Sequence, residues 1–308
     1  MNLDSASASH TSAGASLAPD RFTNYPDYAS ALRAYDAEPR VRVLFDVGAG
    51  NVALPAFSAT APSFPLPTTT ARTWYLGGDG ALTDSAPASA GGDRFAYDPS
   101  AFPRTMTTVD DGLTPHYHWK PVPAGKALGY VTAPLTADTV LVGTGSVDLW
   151  VRATTPDVDF EVTISEVRPD GKETYVQSGW LRASQRALDA PASTALLPVQ
   201  THARADVAPL PKGSPVLVRI PLYPFGHAFR AGSRIRIVVQ PPGGNRPEWA
   251  FAAIMRPSTV TLLRSPTMPS KVVLPVVSGI DVSSALPACN TLRGQPCRNY
   301  VPLVNHSS

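Results

Sequence analysis

The stretch VDFEVTISEVRPDGKETYVQSGWLR, residues 158–182, decides the fold. Val158, Phe160, Val162 and Ile164 alternate with Asp159, Glu161, Thr163 and Ser165. That period of two marks a half-buried antiparallel strand, apolar side to the core and polar side to water. Arg168-Pro169-Asp170-Gly171-Lys172 supplies a turn, with proline fixing φ and glycine taking the left-handed position. Residues 174–182 return as the partner strand. The unit is a β-hairpin.

Working outward, the same pattern continues on both sides. Past an Ala/Pro-rich loop over 183–215, Val216, Val218, Ile220 and Leu222 alternate again. Phe225-Gly226-His227-Ala228-Phe229 reads as a turn, and strands are predicted over 234–240, 259–263 and 271–276. Upstream, strands are predicted over 72–76, 95–97, 128–132, 139–142 and 146–153. Gly77-Gly78-Asp79-Gly80 and Gly143-Thr144-Gly145-Ser146 read as turns, and 100–126 is Pro-rich and irregular. One helix is expected. It starts at Asn24-Tyr25-Pro26-Asp27, repeats Tyr28, Ala31, Leu32 and Tyr35 at helical spacing through Glu38, and ends at Pro39. Val41, Val43, Phe45 and Val47 then alternate as a strand closing at Gly48. About ten short strands after one helical lead-in predict an all-β fold, a two-sheet β-sandwich of the jelly-roll kind.

Composition agrees. The 33 prolines and 22 glycines of the 308 residues interrupt the chain too often for long helices. The 43% hydrophobic share is enough for a core. A net charge of +2, from 26 basic and 24 acidic residues without long runs, gives no basic stripe for nucleic acid and no basic amphipathic helix for a membrane surface. No run approaches the ~20 apolar residues of a transmembrane helix.

The only cysteines, Cys289 and Cys297, bracket seven residues that include Gly294 and Pro296. A small disulfide loop is geometrically easy there, and a polar terminal loop favours it over two free buried thiols. Residues 1–18 have neither a basic n-region nor an apolar h-region. An oxidised loop without an export signal leads to the expectation that Met1 is not the true start, and that the protein is secreted or in the cell envelope if an upstream part carries the signal.

Five stretches carry a resemblance: FPLPTTTARTWYLGGDGAL (64–82), FAYDP (95–99), YVTAPLTADTVLVGTGSVDLWVRATTPDVDFEVTISEVRPDGKE (130–173), RIPLYPFGHAFRAGSRIRIVV (219–239) and SKVVLPVV (270–277). In this order and spacing the chain resembles the C-terminal domain of the X-Pro dipeptidyl-peptidase and cocaine-esterase-like (CocE/NonD) serine hydrolases. The resemblance implies a jelly-roll (galactose-binding-like) domain that follows an α/β-hydrolase domain holding the nucleophile, acid and histidine. No catalytic residue of the family has a matching position here. The expected organisation is a polar lead over 1–22, a junction helix over 23–39, the sandwich over 40–277 and a tail with the disulfide loop over 278–308. The implied partner is the α/β-hydrolase domain, with self-association expected in its absence.

The sequence holds no catalytic motif, in agreement with that. A nucleophile elbow needs Gly-x-Ser-x-Gly, because small residues permit the strained strand-to-helix turn. The nearest approach, Gly14-Ala15-Ser16-Leu17-Ala18, lies in a polar tail with no strand before it. His116 and His118 share one face of an extended segment, but only Asp110 and Asp111 could complete a metal set, so a structural role is expected. His10, His202 and His306 lie in loops or tails, and His227 is expected to bond a turn carbonyl. Asp157 and Asp159 suggest a calcium pair or acid dyad, against which a solvated or cross-strand-paired role is preferred. In the loop from Gly243 to Trp249, Arg246, Glu248 and Trp249 either contact a neighbouring domain or form a turn around a core tryptophan. The expectation is no catalytic, cofactor or metal site in this chain.

Three function classes follow. The first is the non-catalytic C-terminal part of a hydrolase that cleaves esters or X-Pro amides, favoured by the helical leader. The alternative is an independent carbohydrate- or ligand-binding module using Trp119, Trp150, Trp180 and Trp249. An intact enzyme is the third. Fold alone does not choose among them.

Overall fold

The computed structural model describes residues 20–51, 54–102, 119–243 and 252–307. The chain divides into two compact units, Met1–Arg40 and Val41–Ser308. In the first, Asp27 caps helix α1 (Tyr28–Ala37), its side chain accepting from Ser30 N at 2.7 Å. That satisfies one of the amides a first helical turn leaves open. Glu38 is extended, as the residue before a proline prefers, and the helix stops there. Phe22 packs edge-on to Tyr35, and Arg21 forks onto the Glu38 carboxylate. No residue of α1 is buried.

The second unit opens with the antiparallel hairpin β1 (Val41–Phe45) and β2 (Phe57–Ala61). The other strands are β3 (Thr69–Leu76), β4 (Ala81–Thr83), β5 (Gly91–Tyr97), β6 (Leu128–Thr132), β7 (Thr139–Ala153), β8 (Asp159–Val167) and β9 (Lys172–Arg182). After a long loop come β10 (Val216–Phe229), β11 (Arg234–Gln240), β12 (Ser258–Arg264), β13 (Lys271–Val277), β14 (Cys297–Asn299) and β15 (His306–Ser307). They run in the order β14-β9-β8-β11-β6-β4-β3-β13-β7-β12-β5-β15, with β10 on the other edge of β7. Among the described residues only the β4–β6 pair is parallel.

This ladder closes over one core. Phe160, Ile164, Ile235 and Ile237 from one half join Leu149, Val151, Ile220, Val260 and Leu274 from the other. Each such fully buried side chain contributes about 1.5–3 kcal/mol. The architecture is a β-sandwich. A smaller cluster of Phe45, Leu66, Val140, Val142 and Val277 lies under the β1–β2 hairpin, joined by Ile280 and Val282.

Three expectations change. The predicted turn at residues 143–146 is the middle of β7, a single strand of 15 residues. Gly143 there has φ +133°, and the neighbours β10 and β13 slip register beside it. At Gly145 a Cβ would lie 3.0–3.1 Å from Leu222, Leu274 and the Val273 carbonyl, so these glycines serve close packing, not chain reversal. The expected turn at 225–229 continues β10, and His227 pairs with Leu141 inside the ladder. The polar side of β8 is buried along with its apolar side. The tail after Val277 explains part of that, because Arg298 of β14 bonds the Glu173 carboxylate that Ser165 of β8 also bonds.

Candidate functional site

The cover over the outer face of β8 and β9 is built from charge. Glu173, fully buried, receives Arg236 Nη1 on Oε1 at 2.8 Å and Arg298 Nε on Oε2 at 2.9 Å. Ser165 Oγ donates to the same Oε1 at 2.7 Å. The Arg298 guanidinium also stacks 3.6 Å from the Trp119 ring centre, and Tyr300 lies under Arg236. Burial pulls the Arg298 pKa below its ordinary value, and the Glu173 carboxylate opposes that. Two cations sharing one carboxylate form a fully satisfied lock between the C-terminal segment and the sheet.

A second constellation has the ingredients of nucleophilic catalysis in the wrong order. Ser233 Oγ donates to Glu166 Oε1 at 2.6 Å, and His227 Nε2 lies 3.1 Å from Glu166 Oε2. His227 Nδ1 faces Gln295 Nε2 at 3.2 Å. Burial disfavours the Glu166 carboxylate, but the hydrogen bond and charge of His227, the Ser233 hydroxyl and nearby Arg230 together hold its pKa below the usual range. With Glu166 ionised, His227 Nε2 donates to it. A catalytic base must take the proton of the nucleophile. Here the serine is bonded to the carboxylate, both imidazole nitrogens are occupied, and Glu166, His227 and Ser233 are all buried. This chain of bonds pins β8, β10, β11 and the disulfide loop together.

An open polar site lies at the other end of β8 and β9. A cavity of about 430 Å³ is lined by Asp159, Trp180, Arg182, Gln185, His202 and Tyr223, among others. Arg182 Nε donates to Asp159 Oδ1 at 2.7 Å and Ile254 N to Asp159 Oδ2 at 2.7 Å. Trp180 and Tyr223 form a tilted pair with ring centres 5.3 Å apart. Asp159 is therefore the cross-strand-paired residue of the two preferred readings, though buried and not on a solvent face. Asp157 does not join it, since its Oδ1 accepts from Val158 N and Ser184 N.

The disulfide between Cys289 and Cys297 is present, with Cα atoms 5.4 Å apart. Cys297 begins β14 and its amide donates to Asn290 Oδ1. His202 lines the cavity at φ +49°, and His306 lies in β15. His10, Ser16, Asp110, Asp111, His116, His118, Arg246, Glu248 and Trp249 lie outside the described residues. Among the described residues no three His, Cys, Asp or Glu side chains cluster as metal ligands. The Glu166–His227 pair escaped the sequence reading because its members lie on different strands, and their only local signal was the alternation that marks β8.

Comparison with known proteins places these features in a family. The model of the X-Pro dipeptidyl-peptidase C-terminal non-catalytic domain matches residues 33–269. Provisionally named serine esterases of Mycobacterium bovis and Mycobacterium tuberculosis are each 31% identical over 225 residues, 71% of this chain. The chain spans only 35% of the length of either relative. The crystal structure of a CocE/NonD family hydrolase from Staphylococcus aureus superposes with a TM-score of 0.58 at 22% identity, over 72% of this chain and 39% of that one. An α-amino acid ester hydrolase superposes at 0.55 with 21% identity, over 71% and 39%. These two likenesses are of fold.

Proposed function

We propose a non-catalytic, accessory role in ester or X-Pro amide hydrolysis for this chain, which belongs to the X-Pro dipeptidyl-peptidase C-terminal non-catalytic domain family. Its sandwich is read as the jelly roll of a serine hydrolase whose nucleophile, acid and base belong to an α/β-hydrolase domain outside this sequence. The observation that carries the reading is a family match over 33–269 together with a sequence that holds no Gly-x-Ser-x-Gly. The geometry of Ser233, Glu166 and His227 supports it, because the hydroxyl is committed to the carboxylate in a buried network. Helix α1, with Tyr28, Leu32 and Tyr35 exposed, is the junction element we assign to the hydrolase domain. The disulfide suits an oxidising compartment, from which we infer export.

The purified chain is expected to hydrolyse neither a p-nitrophenyl ester nor an X-Pro anilide above background. A fluorophosphonate should label no serine. Stoichiometric labelling at any serine would overturn the reading, since only an activated hydroxyl reacts in that way.

A further inference from the structure

The outer face of β5, β12 and β7 gathers cations that are scattered in the sequence. Phe95, Val260, Leu262 and Val151 turn to the core, so their neighbours turn outward. Thr261 sits in register with Arg94 on one side and Arg152 on the other. Side chains in register share a face, and two strand spacings put the arginine backbones about 10 Å apart. One pair along, half-buried Trp150 faces Leu263. Lys212 joins from the long loop, across a cavity of about 570 Å³ that Arg152, Thr154, Thr259 and Thr261 also line.

These cations differ from five arginines that pair inside the sandwich. Arg219, Arg230, Arg236, Arg264 and Arg298 each hold a buried carboxylate. Arg94, Arg152 and Lys212 are exposed, and among the described residues none of them has an ion pair or hydrogen bond. A row of unneutralised charge on a sheet face, bordered by threonine hydroxyls and an indole, complements an extended acidic ligand that also carries hydroxyls and an apolar face.

We propose that this face binds an acidic oligosaccharide, a chain of carboxylate-bearing sugars. Arg152 and Lys212 take carboxylates at the cavity, Arg94 takes one further along the chain, and Thr259 and Thr261 bond ring hydroxyls. Half-buried Trp150 offers an apolar surface to the sugar chain. A nucleic acid fits less well, because a net charge of +2 and three free cations release few counterions. The site goes beyond the hydrolase reading and stands or falls apart from it.

The test is titration of the purified chain with hexagalacturonate, read by calorimetry and by amide chemical shifts. Neutral maltohexaose and a single-stranded oligonucleotide of equal charge serve as comparisons. Hexagalacturonate is expected to bind, to weaken as salt is raised, and to shift amides on β5, β7 and β12. Arg152→Ala and Lys212→Ala should each weaken binding by roughly tenfold, as loss of a charge-assisted hydrogen bond does, with the melting midpoint unchanged. Arg152→Lys should retain most of it. Equal affinity for maltohexaose, equal affinity for the oligonucleotide, or shifts confined to other strands would each overturn the proposal. If Arg152→Ala fails to fold, Lys212→Ala on the loop and the shifts of the unaltered protein decide it.

Discussion

Glu166 shows how a residue can look catalytic and be structural. Its depressed pKa means that the unfolded chain binds its proton more readily than the folded one. The stability it contributes is therefore complete above the ordinary glutamate value of about 4.3, and is lost as pH falls through its lower folded value. Glu166→Gln should cost about 1–3 kcal/mol at pH 7, because Ser233 and His227 lose a charged partner in a buried site. The difference between variant and parent should shrink as urea unfolding is repeated below pH 4.3. A difference that stays constant with pH would remove the carboxylate's charge from the account. Such pairs are hidden in the sequence, because Glu166, His227 and Gln295 lie on separate elements and no spacing links them.

At the scale of elements, periodicity made most strands legible and missed what depends on neighbours. Counting outward from the Val167–Glu173 pair beside the turn places Leu181 opposite Asp159. The extra residue Val176 shifts the register by one and sets Arg182 there, creating the buried ion pair. Likewise Gly143 and Gly145 mimic a turn signal, whereas the structure uses them where β7 meets two partners. Strands β2, β4, β14 and β15 were not foreseen, being short or lodged among turn residues. Gly179 of β9 is a sharper case, since a Cβ there would lie 1.9 Å from the Pro221 carbonyl. Gly179→Ala should destabilise by about 1–3 kcal/mol or more, read as a lower urea midpoint, because β9 and β10 must separate to admit a methyl group. The disulfide loop was legible from two cysteines, but its reach was not. Leu292 is buried, Arg293 N donates to Val47 O, and Gln295 meets His227. Replacing both cysteines with serine should lower stability by roughly 2–3 kcal/mol in denaturant titration.

For the whole molecule, the question is what the accessory reading requires of the parts that the sandwich does not explain. Helix α1 has a cap, a stop and an aromatic neighbour in Phe22, yet Tyr28, Leu32 and Tyr35 remain exposed. A helix of 10 residues is too short to be stable by propensity alone, and apolar residues repeating along one face are what packing against a partner demands. The chain spans 35% of its mycobacterial relatives, so such a partner has room to exist in proteins of that length. On this argument the isolated chain should self-associate or bind a hydrophobic dye while folded, in proportion to the uncovered surface. Leu32→Ser with Tyr35→Ser should abolish both effects and leave the β-sheet circular dichroism unchanged, since neither residue belongs to the sandwich cores. Sedimentation of parent and double variant over a concentration series checks this. A parent that stays monomeric and dye-free at high concentration would show that α1 needs no cover, and the junction role assigned to it would fail while the fold and the family stand.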